Sequence, residues 1–150
     1  MNYHIMNSKE VSHIQEMLKS EFGFEEPLNY VFLVSNKEKV YIVNRETASA
    51  DLKGIGISSL GMYFADTNKE GIRLSIEGSQ IVGKKATKNI FEATEKEARE
   101  WLQGMEISRT EGMSGSVLIK HGTDFLGCGK VAGDRIMNFV PKVRRVRTIV

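Results

Sequence analysis

The glycine-rich stretch at residues 126–130 (LGCGK), followed by Gly133, holds residue types that serve two kinds of chemistry. A dinucleotide-binding fingerprint has the spacing G-x-G-x-x-G and opens a helix. Here the third glycine comes one residue late, and residues 134–141 have a strand pattern, so the sequence does not predict a nucleotide fold. Cys128 has no neighbouring base in the sequence, and a thiol nucleophile needs one. A buried, small apolar residue is the preferred interpretation of this cysteine.

The glycines in this stretch have two other interpretations. A strand that lacks side chains at Gly127 and Gly129 lets another backbone approach closely, whether it belongs to protein or nucleic acid. The same glycines also permit a bulge or a sharply coiled barrel strand. Asn138, a few residues later, has a similar choice between a hydrogen bond to a base or ribose and one to the protein's own backbone.

Positive charge is concentrated in the second half of the chain. Residues 1–75 hold 8 basic and 10 acidic side chains, whereas residues 76–150 hold 13 and 9. This asymmetry favours a polyanionic partner for the C-terminal half, although a solvated basic tail has the same composition. The residues predicted to contact phosphates are Lys84, Lys85, Lys88, Lys130, Arg135, Lys142, Arg144 and Arg145.

The remaining reactive residue types do not indicate catalysis, a metal or a cofactor. His4, His13 and His121 lack metal-ligand spacing. Phe125, Phe139 and Trp101 could stack on bases, but apolar residues of a small barrel are expected in its core.

The overall composition indicates the class of protein to which these residues belong. With 41% hydrophobic and 27% charged residues, the 150-residue chain is predicted to form one or two globular domains. A single cysteine excludes an internal disulfide and suits a reducing compartment. The sequence has no apolar run of about 20 residues and no signal-peptide pattern, so we expect a cytoplasmic protein.

Hydrophobic periodicity and turn residues predict a mixed succession of elements. Each half of the chain has its own set. In the first half these are a helix at Ser8–Phe22 capped by Ser8 and ended by Gly23, a hairpin of Tyr30–Val34 and Val40–Val43, a helical turn at Thr47–Leu52, a turn at Asp66–Asn68, and a strand through Ile72, Leu74 and Ile76. In the second half they are a short helix at Ser79–Val82, a strand at Asn89–Ala93, a helix from Thr94 to Gly104 with a capping box to Glu97, a hairpin of Ser116–Lys120 and Phe125–Val131, and a strand at Arg135–Val140.

These motifs carry a resemblance to known families. The stretch from Gly115 to Arg144 resembles the C-terminal part of a PUA domain, a small RNA-binding pseudobarrel. Within it, residues 126–130 and 133–142 (GDRIMNFVPK) are similar to the C-terminal RNA-binding region of the Fmu/Sun family of RNA cytosine-5 methyltransferases. Met137 stands where that family has a basic residue. Residues 60–64 (LGMYF) and 73–76 (RLSI) resemble, in their layout, the pre-PUA domain of nucleolar ribosome-biogenesis proteins.

The resemblance implies an α+β fold, with an N-terminal mixed α/β pre-PUA-like module at residues 1–72 and a PUA-like β pseudobarrel at residues 73–150. It implies RNA binding without methyl transfer, because 150 residues leave no room for a cofactor-binding Rossmann domain as well. The expected partner is a structured ribosomal or transfer RNA, held through its backbone in ribosome biogenesis or RNA modification. Two alternatives stay open, namely an adaptor for an RNA-modifying enzyme or ribosome-assembly protein, and an RNA-modifying enzyme that uses Cys128.

Overall fold

Two β-sheets and three α-helices make up the fold in the computed structural model, which describes residues 3–36, 38–46 and 61–147. The elements in chain order are β1 (Tyr3–Ile5), α1 (Ser8–Phe22), β2 (Tyr30–Ser35), β3 (Lys39–Asn44), β4 (Met62–Asn68), β5 (Gly71–Leu74), α2 (Ile76–Gly83), β6 (Ile90–Glu92), α3 (Glu95–Leu102), β7 (Ser116–His121), β8 (Asp124–Ala132), β9 (Arg135–Met137) and a 3-10 helix (Lys142–Arg144). The helical turn predicted at Thr47–Leu52, and Leu60, lie outside the described residues.

The first sheet is antiparallel throughout, in the order β1-β2-β3-β4-β5. Side chains alternate between its two faces because successive Cβ atoms of a strand point to opposite sides. One face is apolar and packs against α1, whose buried residues Ile14, Leu18 and Phe22 recur every four positions. The helix and the hairpin predicted for this half are confirmed by these bounds.

The start of α1 differs from its prediction by one residue. Asn7, and not Ser8, is the N-cap, because its Oδ1 accepts a hydrogen bond from the backbone N–H of Glu10 at 2.9 Å. The Glu10 carboxylate in turn accepts from the Asn7 N–H at 3.0 Å, which completes a capping box. At the other end, Gly23 has φ of +63°, a left-handed conformation that favours glycine and ends the helix as predicted.

The connection from β4 to α2 also differs from the one that the sequence predicts. The turn predicted at Asp66–Asn68 is wrong, since β4 continues through Asn68 and the chain reverses at residues 69–70. The Asn68 Oδ1 accepts from the N–H groups of Glu70 and Gly71, which fixes the turn there. The predicted strand ends before Ile76, because the Ser75 Oγ accepts from the Gly78 N–H and caps α2.

The second sheet has the order β6-β7-β8-β9, and its β7–β8 hairpin is confirmed. Strand β6 runs parallel to β7, while the other pairs are antiparallel. The capping box of α3 between Thr94 and Glu97 is confirmed, whereas β9 ends at Met137 and not at Val140. Trp101 of α3 is fully buried at the centre of the core on one face of this sheet.

The two sheets share a core. Leu118, Phe125 and Cys128 of the second sheet belong to the same buried cluster as the apolar face of the first. The domain boundary predicted after residue 72 falls inside strand β5, which spans residues 71–74. The division into two domains stays a prediction. Within the described ranges, no helix has the length and apolar character needed to span a membrane.

Candidate nucleic-acid interface

The glycines of β8 are buried and contact the protein's own core. A Cβ atom at Gly129 would lie 2.8 Å from Cη2 of Trp101 and 2.4 Å from Cγ2 of Ile136, closer than real Cβ atoms approach. At Gly127 the φ of +145° favours glycine, and a Cβ there would lie 3.3 Å from Nε1 of Trp101. The close approach that these glycines permit is therefore made by the indole ring. The structure therefore gives no support to an RNA cradle at Gly129, which α3 covers, and the RNA contacts of these two glycines stay a prediction.

Asn138 is also committed to the protein itself. Its Nδ2 donates to the carbonyl oxygens of Trp101 at 2.8 Å and Met105 at 2.9 Å. Its Oδ1 accepts from the Val140 N–H at 2.7 Å. Both amide hydrogens are used within the protein, which supports the alternative of hydrogen bonds to its own backbone, and the RNA contact of Asn138 stays a prediction. The side chain joins the end of β9 to the end of α3.

Replacing Asn138 with alanine should lower the free energy of unfolding by about 2 kcal/mol, because the buried Val140 N–H loses its partner and the Trp101 carbonyl keeps only backbone donors such as the Gly104 N–H. Urea unfolding followed by circular dichroism measures this loss. RNA affinity, expressed per folded molecule, should stay unchanged. An unaltered stability with weakened RNA binding would restore Asn138 as an RNA contact.

Four of the predicted cations have partners within the protein, on separate elements. The Nζ of Lys130 lies 2.7 Å from a Glu70 carboxylate oxygen, and Arg135 Nη1 lies 3.1 Å from that of Glu106. Arg144 forms an ion pair with Glu77 of α2. Arg145 lies over Gly104 and donates through Nε to the Val140 carbonyl at 3.1 Å.

Three other predicted cations form an exposed group directly after α2. We call Lys84, Lys85 and Lys88 the lysine loop. The backbone of this loop is fixed to the end of α1, since the N–H groups of Thr87 and Lys88 both donate to the Phe22 carbonyl. Among the described residues, none of the three lysines forms a salt bridge. Lys142, on the 3-10 helix, is likewise exposed. The predicted cations are therefore spread over several surfaces, and the lysine loop gathers three exposed ones within five residues.

Cys128 is 4% exposed, and burial raises the pKa of its thiol to about 12. The thiol is protonated at neutral pH, so this geometry gives no support to its use as a nucleophile. In the part of the chain that the structure describes, no group of three or more His, Cys, Asp or Glu side chains could hold a metal ion.

A cleft of about 290 Å³ lies between the first sheet and the segment after β9. On one side, Asp66 accepts hydrogen bonds from Tyr63 Oη at 2.5 Å, Arg73 Nη2 at 2.6 Å and Lys39 Nζ at 3.3 Å. On the other, the Phe139 ring lies 3.9 Å from Cζ of Arg73. Burial, together with the hydrogen bond to Asp66, raises the pKa of Tyr63 far above its usual value, so the phenol stays protonated.

The sequence motifs do not predict a site at this cleft. Phe139 was expected in the core, yet it is partly exposed at the cleft. The only signal was indirect, since Tyr63 and Arg73 belong to the two motifs at residues 60–64 and 73–76. Nothing in the sequence brings those motifs next to Phe139.

Residues 88–146 match the family model described as the methyltransferase RsmF PUA domain. The match begins at the last residue of the lysine loop and includes all four strands of the second sheet. It confirms the resemblance to the PUA-type region of this methyltransferase family. The mixed α/β structure with two sheets is consistent with such a domain.

Curated relatives extend the similarity to most of the chain. A ribosomal RNA small subunit methyltransferase F from Vibrio cholerae serotype O1 (strain M66-2) is 28% identical over 137 residues, which are 89% of this chain and 28% of that protein. The protein of the same name from Vibrio atlanticus (strain LGP32) is 33% identical over 87 residues, 57% of this chain and 18% of that protein. That of Aliivibrio salmonicida (strain LFI1238) is 25% identical over 138 residues, 92% of this chain and 29% of that protein. The chain spans less than a third of the length of these relatives.

Proposed function

We propose that this chain, similar along most of its length to part of ribosomal RNA small subunit methyltransferase F, binds ribosomal RNA and positions it without catalysing a reaction. The observation that carries the proposal is the match of residues 88–146 to the PUA domain of that methyltransferase. The relatives are named for an action on ribosomal RNA, and this is why ribosomal RNA is preferred over transfer RNA as the partner. A cytoplasmic location and a part in ribosome biogenesis fit this function.

The RNA contacts would come from exposed cations, with the lysine loop and Lys142 as the first group. These side chains form no ion pair with the described residues, so phosphate contact costs them no existing bond. Lys130, Arg135 and Arg144 would form a second group, because exposed ion pairs are worth at most about 1 kcal/mol and exchange readily for phosphate. Contacts of this kind fix the orientation of an RNA and carry little sequence information.

The first sheet and α1 would act as the pre-PUA-like module that orients the RNA-binding half. The shared core supports this assignment, since Leu118 and Phe125 pack against the apolar face of the first sheet. A rigid junction of this kind holds two contact surfaces in a constant relation. The protonated thiol of Cys128 supports the non-catalytic part of the proposal.

A salt titration tests the proposal. A fluorescent hairpin of small-subunit ribosomal RNA is titrated with the protein at several potassium chloride concentrations, and anisotropy gives the affinity. The logarithm of the affinity should fall linearly with the logarithm of salt, by about 0.7–0.9 for each phosphate contact. Heparin serves as a competitor that lacks ribose and bases. Absence of hairpin binding at low salt would refute the proposal.

A further inference from the structure

We infer that the cleft beside Phe139 receives one unpaired nucleobase of the bound RNA. The inference deepens the proposed function and rests on it, because it names the part of the RNA that this surface takes. The cleft is separate from the lysine loop. Glu77, in the first turn of α2, lines the cleft together with Arg144, whereas the lysine loop follows the last residue of α2. Its volume of about 290 Å³ is at the lower end of small-molecule sites, which suits one base better than a helix.

The charges in the cleft favour a base over a phosphate. Lys39 and Arg73 are bound to Asp66, and Arg144 is bound to Glu77, so cations and carboxylates nearly balance. A phosphate in the cleft would lie near both carboxylates and would be repelled by their negative charge. A nucleobase edge carries donors and acceptors together, and the paired side chains offer both.

An unpartnered donor lines the same cleft. The indole N–H of Trp101 is buried and has no hydrogen-bond partner among the described residues. Buried donors without a partner are rare in folded proteins, since each costs free energy. Gly127 lines the cleft beside this atom, and a Cβ at Gly127 would lie 3.3 Å from the indole nitrogen. A carbonyl oxygen or ring nitrogen of a base that entered past Gly127 would accept this hydrogen bond.

Aromatic rings offer stacking positions at the cleft and next to it. Phe139, with the Arg73 guanidinium over it, forms one wall, and base stacking on aromatic or guanidinium planes is the common way to hold unpaired RNA. The ring centroid of Tyr63 at the cleft lies 5.7 Å from that of Tyr41, and the ring centroid of Tyr41 lies 5.3 Å from that of Tyr3. All three tyrosines are partly exposed, so bases next to the inserted one have stacking partners.

The test uses Trp101 as a reporter, since it is the only tryptophan of the chain. The full chain is titrated with a short single-stranded oligoribonucleotide and with a duplex of the same sequence, while tryptophan emission and anisotropy are recorded together. Saturable change of the emission is expected with the single strand and not with the duplex. The Phe139→Leu variant should bind the single strand about tenfold more weakly, the loss typical of one stacking contact. A Lys84→Ala variant serves as the control, because it should weaken both RNAs and keep the full emission change.

The outcomes separate the cleft from the proposed function. Saturable anisotropy with unchanged Trp101 emission would overturn the cleft assignment and leave RNA binding in place. Equal affinity of Phe139→Leu and wild type for the single strand would overturn it as well. Absence of binding to both RNAs would refute the proposed function and the cleft together. Because the emission of the wild type decides the main question, poor folding of the variant would not leave the assignment untested.

Discussion

Replacing Gly129 with alanine should lower the free energy of unfolding by about 3 kcal/mol, the upper part of the range for an overpacked core. The added methyl group would lie 2.4 Å from Cγ2 of Ile136, 2.8 Å from Cη2 of Trp101 and 2.9 Å from the Met137 carbonyl oxygen. The carbonyl belongs to the neighbouring strand β9, so it cannot move aside as a flexible side chain would. Thermal denaturation should show the midpoint lowered by roughly 6–12 °C.

A control in the same strand isolates the effect of packing. Ala132→Ser adds one heavy atom at an exposed position of β8, and its stability should stay within about 0.5 kcal/mol of wild type. The two variants together distinguish a glycine that is needed for packing against Trp101 from a glycine that contacts RNA. An alanine at position 129 that leaves the midpoint unchanged and weakens RNA binding would show that Gly129 faces RNA and not Trp101.

Removing the three charges of the lysine loop should weaken binding to the ribosomal RNA hairpin by about 10–100-fold at moderate salt, an order-of-magnitude figure for three lost phosphate contacts. The variant Lys84→Ala/Lys85→Ala/Lys88→Ala should also reduce the slope of log affinity against log salt by about 2 to 3. The physical reason is that each contact releases counterions from the RNA. Stability should hardly change, because all three side chains are exposed and the backbone holds the loop to α1.

A second triple variant controls for net charge. Lys9, Lys69 and Lys96 are exposed and lie on other elements, with Lys9 at the opposite end of α1 from the loop. Their replacement by alanine removes the same charge and should change affinity and slope much less. Equal losses in the two triple variants would mean that overall charge, and no particular surface, attracts the RNA.

Local signals account for most of the elements that the sequence predicted correctly. The capping box of α3 depends on Thr94 and Glu97, three residues apart, and the β7–β8 hairpin on Gly122 next to two apolar runs. Such signals are complete within a few residues, so no distant contact is needed to identify them. The errors arose where a side chain had a choice of partners. Asp66 reads as a turn residue, but in the fold it accepts hydrogen bonds from Tyr63, Arg73 and Lys39 and stays in a strand.

The sequence by itself determined the kind of element, the excess of positive charge in the second half and the PUA-type pattern at its end. Only the tertiary structure decided which groups face solvent. The glycine at position 129 of a strand indicates that another group comes close, and the packing of α3 decides that Trp101 is such a neighbour. In the same way, Arg73 and Phe139 are 66 positions apart, and their meeting in one cleft depends on how the two sheets join. Long-range packing of this kind depends on the whole core at once, so no single motif encodes it.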